Sequence, residues 1–239
     1  MLITAFPAGP LQANCYVVGR GPGTDCVIVD PGMDAGDAIE QVVREHDLTP
    51  AAILLTHGHF DHMWSATPVS QRYEVPVWIH PADRHLLADP MAAISGESAE
   101  LLRAQLGVAA TTTFTEPADV RDAVGDIETA GLTFAAVHVP GHTAGTVMYA
   151  IAYDGPEEIP SVLFTGDFLF AGSIGRTDLS GGNHEAMTAS LRSEVLPLAD
   201  EVVILPGHGP QSSVGRERAT NPFLAEVAEA AAGTRWRDE

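Results

Sequence analysis

The stretch Thr56-His57-Gly58-His59-Phe60-Asp61-His62 places four metal-binding side chains, His57, His59, Asp61 and His62, within six positions. Imidazole and carboxylate are the donors that zinc, iron and related ions take, at roughly 2.0–2.2 Å. A solvated loop that happens to be rich in histidine is the plain alternative, and it does not account for this density of donors. The apolar run Ala51-Ala52-Ile53-Leu54-Leu55 comes just before and reads as a short buried strand. The donors therefore follow a strand's carboxyl end, where open α/β sheets place their sites.

The same pattern recurs along the chain. The alternating run Phe134–Val139 ends at Pro140-Gly141-His142-Thr143, Ser161–Thr165 ends at Gly166-Asp167, and Glu201–Leu205 ends at Pro206-Gly207-His208-Gly209. A single histidine in such a turn is most often structural. A series of strand-end turns of one kind argues that His57, His59, His142, Asp167 and His208 converge on one site. Asp30, after the strand-like run Cys26–Val29, suits a turn as well as it suits a carboxylate orienting a metal-bound imidazole. His46, His80, His85, His138 and His184 are expected not to be ligands. His138 shares a strand face with His142 by the two-residue period and is the one placed to support the site.

Elements that could position these residues are legible around them. Asn14–Val18 and Cys26–Val29 read as two strands joined by Gly19-Arg20-Gly21-Pro22-Gly23, which is turn chemistry and not a dinucleotide loop, because no helix follows. Asp37–Glu45 carries an apolar helical stripe of Ala38, Ile39, Val42 and Val43. A helix is expected over Met63–Tyr73 and a strand over Val75–Ile79. The stretch Ala82–Gly107 reads as helical, most clearly over Ser98–Leu106, and is placed to cover one side of the site. Further on come a hairpin arm at Asp126–Val139, a strand at Thr146–Tyr153, a helix at Glu185–Leu196 and a closing helix at Pro222–Ala231.

Composition bounds the function classes. The 239 residues show no linker, repeat or low-complexity tract, so one domain over 1–239 is expected, and 45% hydrophobic residues are enough for a core. The net charge is −20 and every basic residue is arginine, a surface that disfavours nucleic acid and anionic membranes and makes each arginine a candidate anion binder. No apolar run reaches the ~18 residues of a membrane span, and Met1-Leu2-Ile3-Thr4 lacks the basic start of a secretory signal. Cys15 and Cys26 fall out of register on the two hairpin strands and read as reduced, buried thiols, which points to the cytoplasm.

The set His57-x-His59-x-Asp61-His62, then His142, Asp167 and His208, resembles the metallo-β-lactamase superfamily, in the family's order and over most of the chain from Asp30 to Gly209. The resemblance implies an α/β fold of αβ/βα layers, a four-layer sandwich of two mixed β-sheets with helices on both outer faces. It implies two divalent metal ions, with zinc expected and iron or manganese as alternatives. His57, His59 and His142 would hold one ion, Asp61, His62 and His208 the other, and Asp167 would bridge them. Asn14-Cys15-Tyr16, Asp30-Pro31-Gly32, Pro140-Gly141-His142-Thr143 and Gly172-Ser173-Ile174-Gly175-Arg176-Thr177-Asp178 are most similar to the glyoxalase II-like hydrolases. That likeness implies a small-molecule thioester substrate attacked by a hydroxide shared between the ions, with Asp61 orienting the hydroxide and Asp167 bridging. Arg176 corresponds to a basic residue of that family and is the candidate for binding the substrate. Asp178 stands where that family has a tyrosine. His208 lies close to the end of the chain, so the family's full C-terminal helical domain, which helps bind glutathione, is expected to be absent or shortened.

A mononuclear iron persulfide dioxygenase of the same superfamily would use His57, His142 and Asp167 as two imidazoles and a carboxylate, and it shares the Gly-Arg-Thr-Asp stretch. A lactonase would use the same two ions. Ala171-Gly172-Ser173-Ile174-Gly175 only nearly matches a serine-hydrolase elbow, since its first glycine is replaced by Ala171. A closed structural zinc site would be cysteine-rich, and neither cysteine lies in the cluster.

Overall fold

The computed structural model describes residues 1–93, 104, 114–155 and 158–234. The helix expected over Ser98–Leu106 lies, Ala104 apart, outside the described residues. Two six-stranded mixed sheets stand at the centre. The first has the order β1 (Leu2–Ala8), β2 (Ala13–Gly19), β3 (Asp25–Val29), β4 (Thr49–Leu54), β5 (Val77–Ile79), β6 (Val120–Asp122). The second has the order β14 (Ser212–Ser213), β13 (Val203–Pro206), β10 (Ser161–Gly166), β9 (Val147–Ala152), β8 (Leu132–His138), β7 (Gly125–Thr129). A small ribbon pairs β11 (Leu169–Phe170) with β12 (Ser173–Ile174).

The period of two along each strand sorts its side chains into layers. Cys15, Val17, Cys26, Ile28, Ile53 and Leu55 pack on the outer face of the first sheet, against α1 (Gly36–Glu45) and α3 (Ala66–Tyr73). Tyr16, Val18, Val27, Val29 and Leu54 turn to the opposite face and meet Phe134, Tyr149, Ile151, Val162, Phe164 and Leu205 of the second sheet. Met148, Leu163 and Ile204 point outward again, onto Met187 and Leu191 of the helix opened by α4 (His184–Ser190) and onto Leu224 and Val227 of α6 (Pro222–Thr234). α5 (Val214–Thr220) precedes α6. The result is the expected αβ/βα four-layer sandwich.

Several elements differ from expectation in instructive ways. The helix expected over Met63–Tyr73 is two pieces, α2 (Phe60–Met63) and α3. Pro68 has no N–H to donate into a continuous helix, and it is tolerated only in the first turn of a new one. Asp126–Val139 is not one arm of a hairpin but both, β7 and β8, turning at Ala130-Gly131. The helix at Glu185–Leu196 begins at His184 and finishes in a π-turn, Leu191–Val195. The strand expected over Glu201–Leu205 is β13, Val203–Pro206, and β14 pairs antiparallel with it. Tyr16 pairs with Val29 and Gly19 with Cys26, so the two cysteines are out of register; both are free and buried.

Candidate metal centre

Strand direction gathers the site residues at one edge. β3 and β4 run parallel, so Asp30 and the His57 loop leave the first sheet side by side. β8 and β10 are both antiparallel to β9, and β13 is parallel to β10, so the turns carrying His142, Asp167 and His208 leave the second sheet at a common edge. Backbone hydrogen bonds tie the two edges together: Val147 N to Thr56 O at 2.8 Å and Asn14 N to Gly207 O at 2.7 Å. Gly207 is required for this approach, because a Cβ there would stand 2.7 Å from His62 Cε1 and would strike the Asp167 carboxylate.

Among the described residues two donor sets face each other, and a third, Asp30 with His57 and His62, overlaps both. His57, His59 and His142 form one, all buried; Asp61, His62 and His208 form the other, and within each set the donor atoms lie within 4.8 Å of one another. Asp167 stands between them, with Oδ1 3.2 Å from His62 Nε2 and Oδ2 3.6 Å from His208 Nε2 and 3.7 Å from His142 Nε2. His208 is the most exposed of these side chains, and its Nε2 lies 3.2 Å from Asp61 Oδ2. Pro10, Leu11, Met33 and Phe60 line a small apolar cleft beside Asp61.

Hydrogen bonds set which nitrogen each ring presents. Asp30 accepts from Thr56 N at 2.8 Å, from Thr56 Oγ1 at 2.6 Å and from His62 Nδ1 at 3.0 Å. Thr56 Oγ1 uses its single hydrogen on Asp30, so it accepts from His57 Nδ1 at 3.0 Å. One buried carboxylate thus turns the Nε2 lone pairs of His57 and His62 toward the site. His142 Nδ1 donates to the backbone carbonyl of Arg176 at 2.8 Å, which leaves its Nε2 facing His59 Nδ1 across 2.8 Å. Asp30 is a site residue for which the local sequence was equally consistent with a turn.

Electrostatics follow from this crowding. Burial, then the neighbouring His62, His142 and His59 rings, hold His57 well below the ordinary imidazole value, and burial and His142 bring His59 down to about 3. Burial lowers His142 against the pull of Asp167. Burial would also lower His62, but Asp167, Asp61 and Asp30 outweigh it and carry the ring well above the ordinary value. His208 is raised in the same sense, its bond to Asp61 outweighing burial. Burial works against ionisation of Asp61 and Asp167, yet His62 overcomes it and holds both below the ordinary carboxylate range.

Divalent metal fits these residues. His57 Nε2 and His59 Nε2 are buried and lack hydrogen-bond partners. Each such orphan costs roughly 1–3 kcal/mol. A cation held by the lone pair of His57 removes one of these penalties.

Other expected residues lie elsewhere. Arg176 is exposed and grips Asp178 through Nε and Nη2, at 2.7 and 2.6 Å; its link to the centre is its carbonyl, which accepts from His142 Nδ1. His138 is exposed, stacks on His80 with ring centroids 4.0 Å apart, and its Nε2 lies 2.9 Å from Ala144 O. Among the described residues, His46, His80, His85, His138 and His184 enter no donor set. Ser173 opens β12 of the small ribbon and is not at a strand-to-helix elbow.

The match to known proteins agrees with the geometry. Residues 8–208 match the model of the metallo-beta-lactamase superfamily, and the chain belongs to that superfamily. It is 44% identical to an uncharacterised protein of Mycobacterium tuberculosis, over 94% of this chain and 98% of the relative. It is 37% identical to a probable metallo-hydrolase of Bacillus subtilis, over 92% and 95%, and 32% identical to the hydroxyacylglutathione hydrolase GloC of Haemophilus influenzae, over 94% and 98%. Among solved structures it is similar to the B3 metallo-beta-lactamase BLEG-1, with a TM-score of 0.75 and 36% identity over 93% of this chain and 99% of that one. It is also similar to TTHA1623 in a di-iron-bound form, with a TM-score of 0.71 and 36% identity over 92% and 100%. The protein is a metal-dependent hydrolase of this superfamily. Among the described residues, no helix is long and apolar enough to cross a membrane.

Proposed function

We propose that the chain hydrolyses thioesters, releasing an acid and a thiol, with two divalent ions held by His57, His59 and His142 and by Asp61, His62 and His208, and with Asp167 shared. The observation that carries this reading is the pair of donor sets facing each other across one carboxylate. The similarity to GloC over nearly its whole length supports the thioester class. Zinc is the expected metal, and the likeness to a di-iron protein keeps iron as the alternative.

Bound metal supplies a Lewis acid for the carbonyl oxygen and lowers the pKa of water from 15.7 toward ~7. The protein's own groups do the rest. Asp30 holds the tautomers of His57 and His62, and the Arg176 carbonyl holds that of His142. Asp61 would accept a hydrogen bond from the attacking water and orient it. A thiolate departs without a general acid, because thiols have pKa near ~8.5. The Arg176 guanidinium, exposed beside this edge, binds an anionic part of the thiol. An acidic surface suits a small-molecule substrate and no nucleic-acid or membrane partner, and two free buried thiols suit the cytoplasm.

The test is a side-by-side assay of the purified protein, with metal analysis, on glutathione thioesters, other thioesters, lactones, a β-lactam and persulfides. Thioester cleavage lost on chelation and restored by metal supports the reading. Oxygen consumption with a persulfide and one iron per chain replaces it with the dioxygenase.

A further inference from the structure

The carboxylate of Asp83 belongs to neither donor set, yet it touches both loops that carry the three-histidine set. Asp83 is 1% exposed and lies in the turn after β5, its own N–H donating to His80 O at 3.0 Å. Its Oδ2 accepts from Gly58 N at 3.0 Å and from Thr143 Oγ1 at 2.6 Å. Its Oδ1 accepts from Gly145 N at 2.7 Å. Gly58 separates His57 from His59, and Thr143 directly follows His142.

Its local surroundings make no use of this carboxylate. Asp83 precedes the short 3₁₀ turn Arg84–Leu87, but its side chain makes no capping bond there. The adjacent Arg84 pairs with Glu116 instead. The cost of burying the carboxylate is therefore offset by donors from the two histidine loops. The fit is close: a Cβ on Gly145 would stand 2.6 Å from Asp83 Cγ.

We infer that Asp83 is a positioning residue for the metal centre, fixing the separation and orientation of the His57–His59 loop relative to His142. The inference rests on the metal reading of those histidines. Its physical content is preorganisation: three nitrogens converge before an ion arrives, because one carboxylate clamps the two loops. Without it, Gly58 N and Gly145 N are buried donors lacking their acceptor, and the loops relax toward water.

The test is zinc affinity of the metal-free full chain, by competition with a chromophoric chelator, together with the absorption spectrum of the cobalt-loaded protein. Asp83→Ala is expected to weaken the tightest zinc site about 10–100-fold, as loss of such supporting partners does, and to change the cobalt spectrum. Asp83→Asn keeps the shape but turns an N–H₂ toward one donor, so a smaller loss in the same direction is expected. Thr143→Val, which removes one of the three bonds, gives a smaller loss again. If Asp83→Ala does not fold, these two variants decide. Variants that are less stable yet bind zinc with wild-type affinity and give the wild-type cobalt spectrum overturn the inference and leave Asp83 a structural residue. A wild-type chain that takes up neither zinc nor cobalt overturns the metal reading itself, a separate result read on a separate sample.

Discussion

Asp167 is the side chain on which both donor sets depend. It is within 3.7 Å of His142 on one side and within 3.6 Å of His62 and His208 on the other. Asp167→Ala should cost one ion of two and essentially all activity, measured by elemental analysis and turnover on the same preparation; retention of two tightly bound ions would refute the bridging role. Arg176 divides its work between backbone and side chain. Its carbonyl orients His142 whatever the side chain is, while its guanidinium holds Asp178 in an exposed pair. An exposed pair is held weakly against water, so exchanging Asp178 for a substrate anion costs little. Arg176→Ala is expected to raise KM or lower kcat/KM by a factor of a few, up to about tenfold, with metal content and Tm nearly unchanged. A variant that is destabilised but kinetically normal per folded molecule would assign Arg176 to structure alone.

At the scale of elements, the two sheets are pinned at the edge where the ligands emerge. Asn14, at the start of β2 in the first sheet, donates its Nδ2 to Pro206 O and Gly209 O, both at 2.9 Å, and so brackets His208 at the end of β13 in the second. Tyr16 adds a buried bond from its hydroxyl to Pro206 O at 2.6 Å. Asn14→Ala should thus loosen the His208 turn, weakening the second ion more than the first. A zinc titration would show this as a selective loss of the weaker step, and equal weakening of both would contradict it. The strands that lead into the His57, His142, Asp167 and His208 turns could be read in the sequence, because each is an apolar run closed by a short turn, a local signal. The edge strand β1 could not, because Leu2–Ala8 is only half-buried over much of its length and contains Pro7, which blurs the alternation. Asp83 left no trace either: its partners lie 25, 60 and 62 residues away, and nothing near it in sequence asks for a carboxylate. The break between α2 and α3 was visible in Pro68, whose meaning emerges only once the preceding turn is committed to the metal loop.

For the molecule as a whole, the two ligand sets differ in how many protons they must shed. Metal takes imidazole only in its neutral form, so binding to a protonated ring releases a proton and weakens as pH falls. In the three-histidine set, His57, His59 and His142 are all held below the ordinary value, mainly by burial, and are neutral before metal arrives. In the other set, His62 and His208 are raised above it by Asp167 and Asp61, so these rings carry protons to higher pH. The sign follows: lowering the pH through the raised values of His62 and His208 competes with the second ion while the first set stays proton-free. Metal content measured at a fixed chelator concentration from pH 8 to pH 5 is expected to fall from two ions per chain toward one before the remaining ion is lost. Calorimetric titration in buffers of different ionisation enthalpy should assign the larger proton release to the second ion bound. Simultaneous loss of both ions, or earlier loss from the three-histidine set in variants that report on each set separately, would show that the carboxylates do not control the order.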